Sequence, residues 1–155
     1  MSRVGSWKPI YDNALCFKVD GSAVGSSGKA GIGGVLTDSN GIKLCLFSQF
    51  VGFMDSISAE LLAILRACDI LASDSTLSIR KVIILSDSKV VVSWINDDNF
   101  GSINHIEVLY DIRNFLQSLA KVQVKFMPRE LNHEANGLAT FGSSEGGDRF
   151  VWGVI

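Results

Sequence analysis

The first third of the chain consists of short apolar segments separated by glycine and polar residues, a pattern typical of consecutive β-strands. Between the second and third segments lies Asp38-Ser-Asn-Gly41, whose Asn-Gly pair is a strong signal for a hairpin turn. Because strands joined by tight turns pair antiparallel, we expect three antiparallel strands in succession. These predicted strands cover residues 14–19, 31–37 and 43–51.

The spacing of apolar residues becomes helical over residues 56–72. Because so little of this segment is polar, we expect its helix to be packed between layers of the fold. The predicted strand over residues 81–85 is wholly apolar after Lys81, as in buried parallel strands, and the Ser86-Asp87-Ser88 that follows is a helix-start signature. The remaining predicted elements are a helix ending near 96, a helix over 106–116, a strand over 121–126 and a short helix over 132–139.

The predicted element order is β-β-β-α-β-α-α-β-α. A hairpin meander followed by strands that alternate with helices indicates an α/β fold, in which helices flank a five-stranded mixed sheet. A chain of 155 residues is the length of one ordinary domain. We expect an N-terminal extension over 1–13, the domain over 14–140, and a C-terminal tail or cap over 141–155.

Composition and charge argue against a strongly basic nucleic-acid-binding protein, a disulfide-rich protein and a membrane protein. The formal net charge of −2 provides no broad basic surface, so the electrostatic contribution to nucleic-acid binding should be small. The three cysteines are an odd number and lie in apolar surroundings, which favours buried thiols over disulfides or a zinc site. No signal peptide or membrane-length apolar run is evident. We expect an intracellular monomer, in the nucleus or cytoplasm, without a membrane partner.

The glycine-rich stretch 21–34 fits neither of the common phosphate-binding loops. A P-loop requires glycine where Ala23 stands, and a serine or threonine where Ala30 stands. The dinucleotide fingerprint fails at Leu36, which occupies its last glycine position. We therefore expect the glycines to form a turn and to thin the second strand, so that another element can approach its backbone.

Three acidic residues lie in apolar surroundings. Asp20 ends the first predicted strand, Glu60 lies in the first turns of the apolar helix, and Asp87 follows the buried fourth strand. Isolated buried charges are costly, and few cationic residues are nearby in the sequence to pair with them. Strand ends meeting at one edge below a helix start would bring the three carboxylates together. Such a cluster suits a pair of hard divalent ions, which ~3.5–4 Å apart can promote phosphodiester hydrolysis.

The chain resembles a type 1 ribonuclease H domain, particularly the form found in plant retroelement-like open reading frames. The motifs that carry the resemblance follow the family's order over nearly the whole chain. They are Val19-Asp-Gly-Ser22, Gly31-Ile-Gly-Gly34, Ser58-Ala-Glu-Leu-Leu-Ala-Ile64, Leu85-Ser-Asp-Ser88, and Pro128-Arg-Glu-Leu-Asn132 through Ala135 to Leu138-Ala139, with Trp7-Lys-Pro9 suited to the plant form.

The resemblance implies a ribonuclease H-like fold and an endonuclease that hydrolyses the RNA strand of RNA–DNA hybrids, leaving 3′-hydroxyl and 5′-phosphate ends. Its cofactor would be two Mg²⁺ ions, for which Mn²⁺ can substitute. Asp20 would bridge both ions, and Glu60 and Asp87 would complete the site on the leaving-group side. The partner would be an RNA–DNA hybrid, and the domain would suit a larger reverse-transcriptase-related polyprotein.

The sequence departs from the family pattern at the fourth metal ligand, where Asn136 replaces an aspartate. An amide oxygen can ligate a metal without contributing charge, so the enzyme would be weakened. Alternatively, the chain is an inactive nucleic-acid-binding module of the same fold, or a DNA-cutting, integrase-like relative. His133 either assists proton transfer or product release at the site, or is a solvated surface residue. His105 is predicted to lie on the surface.

The resemblance also implies contacts to the hybrid backbone. Family asparagines that contact the two strands are replaced by serines here, and serine can still donate to a phosphate or a 2′-hydroxyl. Trp94 is interpreted as a core residue or as a contact to the DNA strand. The predicted nucleic-acid-binding residues are Gly21, Ser22, Ser26, Ser56 and Ser88.

Overall fold

A computed structural model of the chain describes residues 13–25, 28–97, 101, 103–145 and 148–153. All but the last residue of the predicted N-terminal extension lie outside the described residues, as does Ser26. None of the helices in the described ranges is long and apolar enough to cross a membrane.

The chain folds into a six-stranded mixed sheet with the strand order β5-β4-β1-β2-β3-β6. The pairs β1–β2, β2–β3 and β3–β6 are antiparallel, whereas β1–β4 and β4–β5 are parallel. The predicted hairpin meander and the buried parallel strand are therefore both present. The strands are β1 (Leu15–Ala23), β2 (Lys29–Thr37), β3 (Lys43–Phe53), β4 (Val82–Ser86), β5 (Val122–Phe126) and β6 (Asp148–Trp152).

Helices cover both faces of the sheet. Ile32 on β2 packs into the main core with α1 residues such as Leu61, while Gly31 and Gly33 on either side of it face α4. Because successive strand residues point to opposite faces, α1 and α4 must lie on opposite sides of the sheet. The α-helices are α1 (Ser56–Ser73), α2 (Lys89–Asn96), α3 (Ile106–Ser118) and α4 (His133–Glu145).

The glycines of β2 allow α4 to lie unusually close to the sheet. A Cβ atom at Gly31 would lie 2.3 Å from the Ala139 carbonyl oxygen, and one at Gly33 would lie 2.5 Å from the Ala139 backbone nitrogen. Only glycine fits at such a distance. The element expected to approach the second strand is therefore α4.

The prediction of five strands is wrong, because β6 adds a sixth. Residues Cys45–Gln49 of β3 pair with Asp148–Trp152 of β6, and α4 continues to Glu145 instead of ending near 139. The Gly/Ser-rich sequence after Phe141 has low helix propensity, but packing of α4 against β2 and β3 overrides it. Phe150 and Trp152 are good strand formers once β3 offers an edge. The domain boundaries remain a prediction.

His105 was predicted to lie on the surface, and that prediction is wrong. Its side chain is 9% exposed, with Nε2 3.1 Å from Ser58 Oγ and its ring 5.5 Å from that of Trp94. The sequence places His105 at the start of an amphipathic helix, but His105 ends the 3-10 turn Ile103–His105 and its side chain contacts Ser58 of α1. Trp94 packs against the main core, in agreement with its interpretation as a core residue.

Candidate metal centre

The three acidic residues meet at one edge of the sheet because of its topology. Strands β1 and β4 are parallel neighbours, with Lys18 paired to Leu85. Their carboxyl ends therefore lie side by side, with Asp20 near the end of β1 and Asp87 immediately after β4. Helix α1 packs on β1 and contributes Glu60 from its second turn.

The carboxylates of Asp20, Glu60 and Asp87 approach closely enough to share a metal ion. Each offers an oxygen, and these three oxygens lie within 4.8 Å of one another. Asp20 is 3% exposed and Glu60 is 8% exposed, whereas Asp87 is half-buried. The backbone N–H of Gly21 donates a hydrogen bond of 2.8 Å to Glu60 Oε1 and fixes that side chain over the end of β1. The cluster is thus buried on one side and accessible on the other.

Burial and mutual repulsion make these acids difficult to ionise together. Burial, followed by the charges of Asp20 and Asp87, raises the pKa of Glu60 to about 9. Burial also raises the pKa of Asp20, although its hydrogen bonds with Asn136 and Glu60 oppose the rise. The ion pairs found in the described part of the chain, Lys43–Glu134 and Arg66–Asp69, do not involve these acids. A divalent cation held by oxygen ligands would supply the missing charge, so the residues fit such an ion.

Asn136 occupies the fourth position and contacts the cluster through its donor atom. Its Nδ2 donates a hydrogen bond of 2.9 Å to Asp20 Oδ2, across the gap between α4 and β1. The amide oxygen would face Asp20 only after the amide turned over. As placed, Asn136 stabilises the ionised form of Asp20 through a hydrogen bond.

Asn132 lies at the same site but was not among the predicted site residues. It is 1% exposed, and its Nδ2 donates to the Val19 carbonyl oxygen at 2.9 Å and to Asp87 Oδ2 at 3.1 Å. In the sequence, an asparagine directly before a helix is read as an N-cap. The only other indication that Asn132 lies at the site was its position within the motif that spans Pro128 to Ala139.

The remaining predicted site residues surround the cluster. Ser22 is half-buried two residues beyond Asp20 and so lies on the same face of β1. Ser88 caps α2, accepting a hydrogen bond of 3.3 Å from the Val91 N–H. Ser56 and His133 are exposed at the first positions of α1 and α4. Their roles in binding or proton transfer remain predictions.

Comparison with known proteins supports the fold and the family. The family model described as reverse transcriptase-like matches residues 18–142. LC11-RNase H1, isolated from compost by a metagenomic approach, aligns at 26% identity over 86% of this chain and 98% of that chain, with a TM-score of 0.80. Its complex with an RNA/DNA hybrid aligns at 25% identity over 85% of this chain and 98% of that chain, with a TM-score of 0.78.

A viral protein shares the same architecture. The foamy viral protease-reverse transcriptase, in complex with double-stranded DNA, aligns at 25% identity over 90% of this chain and 99% of that chain, with a TM-score of 0.73. No curated protein sequence matches the chain significantly. The predicted ribonuclease H-like fold is confirmed, whereas the plant retroelement origin stays a prediction.

Proposed function

We propose that this chain, which belongs to the reverse transcriptase-like family and is a ribonuclease H domain, is a divalent-metal-dependent endonuclease that hydrolyses the RNA strand of RNA–DNA hybrids. The observation that carries the proposal is the buried cluster of Asp20, Glu60 and Asp87, whose oxygens lie within 4.8 Å of one another. The same fold in LC11-RNase H1 has been solved with an RNA/DNA hybrid.

The chain's own residues would hold and orient the ions. Asp20, Glu60 and Asp87 would bind two Mg²⁺ ions, or Mn²⁺ in their place, with Asn136 in the fourth position once its amide turns its oxygen inward. Divalent ions bound there would activate the attacking water and stabilise the oxygen that leaves phosphorus. Water adds to phosphorus and the ribose 3′-oxygen departs with a proton, which leaves 3′-hydroxyl and 5′-phosphate ends.

Recognition of the hybrid would depend on hydrogen bonds more than on charge. We propose that Gly21, Ser22, Ser56 and Ser88 contact the two backbones, together with Ser26 outside the described residues. The serine hydroxyl groups can form hydrogen bonds with the ribose 2′-hydroxyl, which is present in RNA and absent from DNA. His133, exposed at the start of α4, would assist proton transfer or product release.

A weakened or inactive module is the second candidate function. The observation that favours it is the neutral side chain of Asn136, which lies 2.9 Å from Asp20 Oδ2 and brings no charge to an ion bound there. We also propose that the domain acts as a monomer inside the cell and within a larger reverse-transcriptase-related polyprotein. The likeness to a foamy viral protease-reverse transcriptase supports the last of these proposals.

The test is cleavage of an RNA–DNA hybrid with a separate label on each strand, across a series of Mg²⁺ and Mn²⁺ concentrations. Asp20→Asn serves as the control. Cleavage confined to the RNA strand and lost in the control would support the nuclease. A folded chain that binds the hybrid without cutting it, even in high Mn²⁺, would support the binding module instead.

A further inference from the structure

The structure assigns Asn132 as a positioning residue of the acidic cluster: its side-chain amide ties Asp87 to the β1 backbone beside Asp20 and holds the two carboxylates at an ion-binding separation. This inference rests on the proposed function. Asn132 is separate from the predicted fourth ligand, Asn136, and lies one helical turn before it.

The contacts of Asn132 connect the two strands that supply the aspartates. One amide nitrogen donates to both the Val19 carbonyl oxygen at 2.9 Å and Asp87 Oδ2 at 3.1 Å. Val19 directly precedes Asp20 in β1, so the nitrogen fixes the position of Asp87 relative to the strand that presents Asp20. An N–H donor also stabilises the ionised carboxylate, the form that binds a metal ion.

A role as a helix cap does not account for this residue. Asn132 directly precedes α4, where an asparagine side-chain oxygen would normally accept from an N–H of the first turn. Its Oδ1 is instead buried without a hydrogen-bond partner among the described residues. The side chain is therefore oriented to present its nitrogen to the site, even though its own acceptor is left unsatisfied.

A contribution to stability alone does not account for it either. A buried acceptor without a partner is destabilising, and an apolar side chain of similar shape avoids that penalty. Asn132 is 1% exposed, so bulk solvent does not reach the oxygen. An amide at this point is thus explained by what its nitrogen does for Asp87.

The chain provides a matched control in Asn96. Its Nδ2 donates a 2.8 Å hydrogen bond to the Val124 carbonyl oxygen, which joins α2 to β5 without contacting an acid of the cluster. Asn96→Ala removes an amide-to-strand hydrogen bond of the same kind as that between Asn132 and Val19. A loss of Mn²⁺ binding confined to the Asn132 variants would separate positioning from general stabilisation.

The experiment is titration of the full chain with Mn²⁺ in the absence of nucleic acid, with free Mn²⁺ followed by electron paramagnetic resonance. We expect Asn132→Ala to weaken binding by about 10–100-fold and Asn96→Ala to change it less than about twofold. In cleavage assays, Asn132→Ala should raise the Mg²⁺ concentration needed for half-maximal rate and leave the KM for hybrid at saturating Mg²⁺ unchanged. If Asn132→Ala does not fold, Asn132→Leu replaces it as the test variant. Leucine preserves the branched shape of asparagine without a hydrogen-bond donor, so it should show the same loss of Mn²⁺ binding.

The outcomes separate the two proposals. If wild-type protein binds Mn²⁺, Asp87→Asn abolishes binding and a folded Asn132 variant binds as wild type does, the positioning role is wrong and the metal site stands. If wild-type protein does not bind Mn²⁺, both the proposed function and the positioning role are wrong. Equal loss of affinity in Asn96→Ala and Asn132→Ala would also overturn the positioning role.

Discussion

At the scale of single residues, Asn136 is the position at which activity should respond most to a small change. Asn136→Asp replaces a neutral amide by a carboxylate 2.9 Å from Asp20, so it adds a charged ligand to the cluster. The affinity of an oxygen site for divalent ions rises with the number of charged ligands. We expect cleavage of the hybrid at low Mg²⁺ to rise by about tenfold or more.

The measurement is the initial rate against Mg²⁺ concentration for wild type and Asn136→Asp. Asn114→Asp on α3, away from the cluster, adds the same charge and is the control. Equal rates for wild type and Asn136→Asp at every Mg²⁺ concentration would contradict this account of the fourth position.

The pKa of Glu60 predicts how stability depends on pH. Its pKa is about 9 in the folded chain against an ordinary 4.5, so the folded state retains a proton that the unfolded state loses. The stability linked to Glu60 is therefore fully present below pH 4.5 and is lost as the pH rises toward 9. Bound divalent ions favour the ionised acid and should remove this loss.

Thermal unfolding in chelator between pH 5 and 8.5 tests this linkage. We expect the Tm of wild type to fall by about 10 °C more than that of Glu60→Gln, which cannot ionise. Saturating Mg²⁺ should reduce the difference between the two proteins. Parallel Tm curves for wild type and Glu60→Gln in chelator would show that Glu60 ionises normally.

At the scale of elements, the packing of α4 on β2 determines where the two asparagines lie. A Cβ atom at Gly33 would lie 2.5 Å from Ala139 N and 2.8 Å from the Ala135 carbonyl oxygen, so Gly33→Ala must push the helix away from the sheet. Overpacking of this kind costs about 1–3 kcal/mol. Displacement of Asn132 and Asn136 should also weaken the binding of Mn²⁺.

Urea unfolding and Mn²⁺ titration of Gly33→Ala measure both effects. Gly137→Ala is the matched control, because a Cβ atom there has no heavy atom of another element within 4 Å in the described structure. Removing a glycine from the helix should stabilise that control by about 0.5–1 kcal/mol. A Gly33→Ala protein with unchanged stability would mean that α4 is not held at this distance.

At the scale of the whole molecule, the charge distribution predicts how hybrid binding depends on salt. The net charge is −2, but Lys89, Lys125 and Arg129 are exposed where β4 and β5 end, at the same edge as the acids. Three phosphate contacts correspond to a slope of about −3 for the logarithm of the binding constant against the logarithm of salt concentration.

Hybrid affinity measured over a salt series checks this prediction. Lys125→Ala combined with Arg129→Ala should reduce the magnitude of the slope by about 2. Arg80→Ala combined with Lys121→Ala removes two exposed charges from the opposite edge, at the amino ends of β4 and β5, and should leave the slope unchanged. Equal slopes for the two double variants would place the hybrid elsewhere on the surface.

The sequence by itself determined the first five strands, the four helices and the three acidic residues. Turn chemistry and apolar periodicity are local signals, as the Asn-Gly turn before β3 and the apolar run of β4 show. Asp20, Glu60 and Asp87 were recognisable because charged residues in apolar surroundings need a partner. The glycines of β2 also indicated that some element approaches that strand, but not which one.

Only the tertiary structure decided the sixth strand, the burial of His105 and the contacts of the two asparagines. Strand β6 depends on an edge that β3 provides. Asn132 donates to Val19 across 113 residues of sequence, and Asn136 donates to Asp20 across 116. Contacts of this range depend on how closely α4 packs against the sheet, and a local pattern contains no information on that distance.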